Sequence, residues 1–229
     1  MAAVTSSTPP VPRSQRGTLS GPVIPTPTHG ASGGSFTVTC STRIAAPPDA
    51  VLGVLLDTAT YPAWNRFVRQ VDVVSHPEPP SPAAAADDTA APTALPAGEA
   101  GGGSIGVGTA MIFSVYMDLA SDKPSNRAGV EVTRLEPFTL ASPPSAPAEE
   151  RNGWRVAWRA TDLPGWLLRT ERVQEVVDDG AGGTEYTCWE TFYGVLALVV
   201  KLKVGGRLVK GFDAWMDGLK ARAEELAGE

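Results

Sequence analysis

Ile44-Ala-Ala-Pro-Pro-Asp-Ala-Val-Leu-Gly-Val-Leu-Leu-Asp-Thr-Ala-Thr-Tyr-Pro-Ala-Trp-Asn-Arg-Phe-Val68 is the stretch on which the fold turns. Alternating β-branched residues from Phe36 end at Ile44, which closes a first strand. Pro47 and Pro48 have the fixed φ of an opening helical turn, and Asp49 complements the positive end of the helix dipole. Val51, Leu52, Leu55 and Leu56 then share one helical face. Pro62 disfavours helical backbone at Tyr61, so the first helix should stop there. It can also start a second short helix carrying Trp64 and Phe67.

Further strands are expected at Arg69–Ser75, Thr109–Leu119, Ala128–Leu135, Trp154–Thr161, Leu167–Asp178 and Thr184–Tyr193. Turn-forming glycines such as Gly106, Gly108 and Gly180 lie between them or at their starts. A long helix from about Ala197 to Leu226 follows. Its stripe is Leu208, Phe212, Trp215, Leu219 and Leu226, and Gly205-Gly206 should weaken it or split it in two. One strand, two short helices, six strands and one long helix make an α+β arrangement with an antiparallel sheet.

Three segments are too poor in apolar residues to offset the entropy of ordering them. They are a Pro/Ser/Gly-rich tail over 1–34, an insertion over about 76–104, and the short Ala141–Pro147. The insertion reads as a surface loop between two strands, so residues 35–227 are expected to form one domain.

With 229 residues the chain can build one full core. A net charge of −6 with scattered basic residues argues against a nucleic-acid partner. The most apolar run, Val195–Val200, ends at Lys201, far short of a membrane span of about 20 residues. Transient contact with a membrane surface remains open. Cys40 and Cys188 are the only cysteines, which suits small buried hydrophobes in a reducing compartment. A cytoplasmic location is therefore expected. The acid-free tail with Arg13 and Arg16 leaves a mitochondrial address as the alternative, but its prolines oppose the amphipathic helix such an address needs.

These residues resemble the START-like, helix-grip superfamily (SRPBCC), which includes polyketide cyclases, lipid-transfer START domains, coenzyme Q-binding proteins and the birch-pollen-allergen group. The resemblance rests on Ile44-Ala-Ala-Pro47, on Asp57 with Tyr61–Val68, on Thr184-Glu-Tyr-Thr-Cys-Trp-Glu-Thr-Phe-Tyr-Gly194, and on Gly211-Phe-Asp-Ala-Trp-Met-Asp-Gly-Leu-Lys-Ala-Arg-Ala-Glu224. It implies a seven-stranded curved sheet gripping the last helix, with an apolar cavity between them.

Candidate chemistry is sparse. His29 and His76 are the only histidines, and both lie in expected loops, so neither a histidine base nor a histidine-held metal is expected. No metal, nucleotide or other cofactor is implied. Gly103–Gly108 leads into a strand and not a helix, which argues against a phosphate cradle. Among the strand carboxylates Asp118, Glu131, Glu171 and Glu190, one facing a dry interior would have a raised pKa and could serve as acid or base. The alternative is a cross-strand pair with Arg155, Arg159, Arg169 or Arg172 on the outer face. Glu190 is the first candidate, because the resemblance places a polar residue at this point of the last strand. Tyr116 and Tyr193 are further proton-transfer candidates.

The aromatics carry the binding argument. Trp154, Val156 and Trp158 alternate with Arg155 and Arg159, which turns the tryptophan face inward. Met111, Phe113, Val115 and Met117 share another face. Together with Trp64, Phe67, Phe212 and Trp215, the inward members are the expected ligand-binding set. The leading expectation is a carrier or sequestering protein for a lipid, quinone, sterol or polyketide-like molecule. A polyketide cyclase or dehydratase using the same cavity is the alternative, and an adaptor recruiting partners through the tail is a third.

Overall fold

The computed structural model describes residues 11–77, 105–140 and 151–229. Strand β1 (Thr18–Ser20) is followed by β2 (Gly34–Ile44), α1 (Pro48–Leu56), a 3-10 turn at Thr58–Thr60 and α2 (Tyr61–Trp64). Then come β3 (Val68–Ser75), β4 (Ala110–Val115), β5 (Asn126–Leu140), β6 (Arg151–Ala160), β7 (Arg169–Asp178), β8 (Thr184–Tyr193) and α3 (Ala197–Gly228). The strands form one antiparallel sheet in the order β1-β2-β8-β7-β6-β5-β4-β3. Strands β2 to β8 are the seven expected; β1 adds an eighth.

The extra strand comes from the segment expected to be a disordered tail. Residues 11–34 instead pack on the rest of the fold: Ile24 and its neighbours lie on the outer face of the sheet, Arg16 pairs with Asp213 and Asp217 of the C-terminal helix, and β1 pairs with Thr37–Thr39 of β2. Ile24 is buried in a small cluster with Ala157, Val173 and Trp189. The backbone N–H of Ile24 donates to Thr37 Oγ1 at 3.0 Å, and Trp189 Nε1 donates to the carbonyl of Pro25 at 3.1 Å. The segment has little to bury against itself, but the sheet offers it an apolar face and polar partners, which offset its ordering entropy. Residues 1–10 lie outside the described residues, as do 141–150. The expected insertion falls between the paired neighbours β3 and β4, and its residues 78–104 also lie outside the described ones.

The helix α1 stops earlier than Pro62 requires. Asp57 leaves helical backbone at φ −82° and ψ 78°, and its N–H donates to the carbonyl of Gly53. Tyr61 stays helical despite the following proline, at φ −51° and ψ −38°. The helix α2 ends at Trp64, so Phe67 lies beyond it. Asn65 makes the turn into β3: its Oδ1 accepts from the N–H of Phe67 at 3.0 Å and of Val68 at 2.8 Å.

At about 1.5 Å per residue, the 32 residues of α3 reach the length of the sheet. The helix is continuous through Gly205-Gly206, where Gly205 is buried beneath Leu19 of β1. Tertiary packing overrides the local weakness. Leu208, Phe212, Trp215, Met216, Leu219 and Ala223 are buried, whereas Leu226 is exposed in the final turn. Two glycines set how closely α3 approaches the α2 region. A Cβ at Gly211 would stand 2.5 Å from the Phe67 ring, and one at Gly218 would collide with the Trp64 carbonyl oxygen. The resulting contact brings Trp215 edge-on to Tyr61 and Trp64, with ring centroids 5.4 and 5.7 Å away.

Candidate functional site: an apolar cavity with a charged wall

A cavity of about 580 Å³ lies between the concave face of the sheet and the first half of α3. That is the size of a small-molecule site. Phe67, Phe113, Val115 and Trp158 line it, together with Met117, Val130, Leu163, Leu168 and Phe192. From α3 come Val200, Val204 and Leu208, spaced by one helical turn each and so on one face.

One wall is polar. Thr170, Arg172 and Glu190 all reach the cavity, and Arg172 stands directly opposite Glu190 in the β7–β8 register. Inward positions of β7 run Thr170, Arg172, Gln174 and Val176, and those of β8 run Tyr186, Cys188, Glu190 and Phe192, by simple alternation. Arg172 is only 4 % exposed. Its Nε donates to Cys188 Sγ at 3.2 Å. Its guanidinium carbon sits 4.2 Å from the ring centroids of both Phe212 and Trp215, a cation–π arrangement. Its Nη2 has no partner.

Electrostatics separate the two charges. Burial opposes the Arg172 cation, but neighbouring Cys188, Tyr186 and Glu190 outweigh it and raise its pKa. Burial pushes the Glu190 carboxyl up, and Arg172 and the Thr170 hydroxyl offset only part of that. Behind them Cys40 and Cys188 face each other across β2 and β8, both buried and free. Burial raises the Cys188 thiol, but the Cys40 hydrogen bond and the Arg172 charge bring it down to about 7.

The remaining candidates fall elsewhere. Trp64, Phe212 and Trp215 belong to the core beside the cavity, and Met111 is buried there too. Trp154 is half-buried at the far end of β6, its Nε1 donating to Asp49 Oδ1 at 3.3 Å. Tyr193 points to the outer face, where its hydroxyl donates to the Gly30 carbonyl at 2.6 Å. Tyr116 lies 4.1 Å beneath the Arg69 guanidinium. Asp118 accepts from the N–H of Ala120 in a turn, and Glu131 pairs with Arg159 at 2.9 Å on the outer face. Glu171, fully buried under residues 26–28, accepts from the Thr28 N–H at 2.8 Å and from the hydroxyls of Thr28 and Thr133 at 2.6 and 2.7 Å. Of the four strand carboxylates only Glu190 faces the cavity.

Sequence reading grouped Arg172 with the outer-face cations, and the structure corrects this. Arg169-Thr-Glu-Arg172 is polar at every position, so alternation gave no inward face. The antiparallel register with β8, whose Cys188 and Phe192 mark the inner side, is the signal that places it.

No family model matches the chain. A fungal relative from Penicillium oxalicum, "Oxopyrrolidines biosynthesis cluster protein O", is 29 % identical over 178 residues, covering 72 % of this chain and 75 % of the relative. A hypothetical protein from Helicobacter pylori superposes with a TM-score of 0.54 at 15 % identity, covering 81 % of this chain and 86 % of that one. A START superfamily protein from Mycobacterium smegmatis gives a TM-score of 0.46 at 14 % identity over 83 % of this chain and 98 % of that one. At these identities the likeness is one of fold. With seven consecutive strands closing round a C-terminal helix, behind two short helices after the first of them, the chain has the START-like, helix-grip fold.

Proposed function

We propose that the chain holds a hydrophobic small molecule, such as a lipid, quinone, sterol or polyketide-like compound, in the cavity between the sheet and α3, as a carrier or sequestering protein. The observation that carries this reading is a mainly apolar cavity whose inner polar wall presents a guanidinium N–H with no hydrogen-bond partner among the described residues. An apolar body would be held by burial, at roughly 25 cal/mol per Å². A carbonyl, enolate or carboxylate oxygen at one end would accept from Arg172 Nη2 and fix the orientation. The name of the fungal relative supports a setting in small-molecule biosynthesis, and an oxopyrrolidine ring carries such a carbonyl oxygen.

A second reading, a cyclase or dehydratase, is favoured by Glu190. With its pKa raised by burial, the ionised form of this carboxyl is a stronger base than an ordinary carboxylate. It can take a proton from the carbon next to one carbonyl, the resulting enolate carbon bonds to a second carbonyl carbon, and the carboxyl returns the proton to the alkoxide so formed. Arg172 would stabilise the enolate oxygen between those steps. Much of the rate would come from folding the chain into a reactive conformation.

Organic extracts of the purified protein, analysed by mass spectrometry, test the first reading. A co-purifying apolar compound at near-stoichiometric yield is expected. Repeated empty preparations, with no rise in Tm across a panel of lipids and polyketides, count against it. With a ligand in hand, Glu190→Gln separates the readings: turnover lost with binding intact marks an enzyme, and no turnover in the wild type leaves the carrier.

A further inference from the structure

We propose that the chain docks on an anionic lipid surface through a composite apolar tip beside the cavity opening, made of the β6–β7 loop and the first turns of α3. Trp166 is 69 % exposed and Leu202 85 % exposed, and Leu163, Val195, Leu198 and Val199 are exposed beside them. Among the described residues nothing covers this surface. A contiguous group of large apolar side chains left in water marks an interaction site.

The group is built as one rigid surface. The N–H groups of Val195 and Leu196 donate to the carbonyls of Trp166 and Leu167, at 3.4 and 3.0 Å, which clamps the loop to the start of α3. On the helix, Leu198 and Leu202 are one turn apart with Val199 beside them on one arc, and Val195 lies just before the helix begins. Val200, Val204 and Leu208 occupy the opposite arc and line the cavity. Leu163 belongs to both the exposed group and the lining. One element thus separates the surface from the cavity by a single helix diameter.

Charge selects the occupant. On the helical side, from Thr191 to Phe212, there is no acidic residue, while Lys201, Lys203, Arg207 and Lys210 fall in the same span of a chain whose net charge is −6. The loop side carries one carboxylate, Asp162, which accepts from the Gly129 N–H. Lys203 is exposed on one side of the apolar arc, and on the other Lys201 is half-buried with its Nζ 5.8 Å from the Phe36 ring centroid. Both stems are long enough to reach outward while the leucines bury. Lysines flanking a Trp and Leu face are the pattern of a helix lying at a membrane–water boundary. An anionic headgroup layer matches this local charge, whereas a second copy meeting it through the same surface would set like charges against each other.

Flotation of the full-length protein with phosphatidylcholine vesicles, with and without phosphatidylserine, tests the proposal. Binding to the phosphatidylserine vesicles is expected, with release as salt is raised. Leu202→Glu and Trp166→Ala should each lower the partition about tenfold. Their Tm should be unchanged, because both side chains face water. Lys201→Gln with Lys203→Gln should remove the preference for phosphatidylserine. The proposal is overturned if the wild type ignores both vesicle types, if it binds them equally, or if Leu202→Glu floats as the wild type does. It is also overturned if the wild type sediments as a dimer that Leu202→Glu dissociates, which would give the surface to a second copy. None of these readouts depends on the cavity being filled.

Discussion

A guanidinium packed between Phe212 and Trp215 and a carboxyl facing it across two strands put opposite demands on the same dry space. The cation keeps its charge, and the carboxyl is pushed towards its neutral form. A carboxyl whose pKa is higher folded than unfolded favours folding most below its unfolded pKa. That contribution disappears as pH rises through the folded pKa. Glu190→Gln, which imitates the neutral form, should therefore raise Tm relative to the wild type at neutral pH. The gain should vanish once pH falls below the ordinary carboxylate range, and thermal melts across pH 4 to 8 (about this window) would show it. An unchanging gap would mean that Glu190 ionises freely. Gly218 makes a separate demand, because the Trp64 carbonyl occupies the place of its Cβ. Gly218→Ala should cost about 1–3 kcal/mol by overpacking, despite alanine's higher helix propensity, and denaturant unfolding measures it.

Among the several anchors of the N-terminal segment, Glu171 holds the stretch around Thr28, accepting from Thr28 twice and also from Thr133 of β5. Burial would raise this carboxyl, but those hydrogen bonds outweigh it and hold the pKa below its usual value. The stability it lends is present above the unfolded pKa and is lost as pH falls through the folded one. The stretch around Thr28 should thus loosen in acid before the sheet unfolds, giving early amide exchange at Thr28 and its neighbours. Glu171→Gln should show the same early exchange at neutral pH; protection in both cases would refute the role. This segment was also the least legible in the sequence. Its prolines and serines say that it cannot fold alone, and nothing in them says that Ala157, Val173 and Trp189 leave an apolar patch for Ile24. The strands and α3 were readable because alternation at Trp154–Trp158 and the stripe at Leu208–Leu219 each specify one buried face. The cavity lining was readable where such patterns held, as at Phe113, Val115 and Trp158. It was unreadable at Arg172, where both faces of β7 are polar, and at Val200 and Val204, whose apolar surroundings in the sequence look alike on every side.

For the molecule as a whole, the arrangement leaves a void under the first half of α3 and a filled core under the second, where Trp215, Tyr61 and Trp64 meet. Filling the void should therefore separate ligand uptake from stability. Ala128→Phe places a ring on the lining and is expected to abolish ligand recovery while leaving Tm the same or higher. A bound ligand at a hundred times its Kd should raise wild-type stability by about 2.7 kcal/mol, and the variant should forgo this gain. Failure to alter uptake would show that the ligand lies elsewhere. The three-residue β1 has a consequence of its own for how such molecules coexist at high concentration. It caps Thr37–Thr39 of β2, and just beyond it the N–H of Ser41 donates to the Gln15 carbonyl, so this border offers fewer free backbone groups to another sheet. Trimming the chain to its sheet and helices would strip that short guard, and the naked border of β2 would become a template on which copies could stack into aggregates.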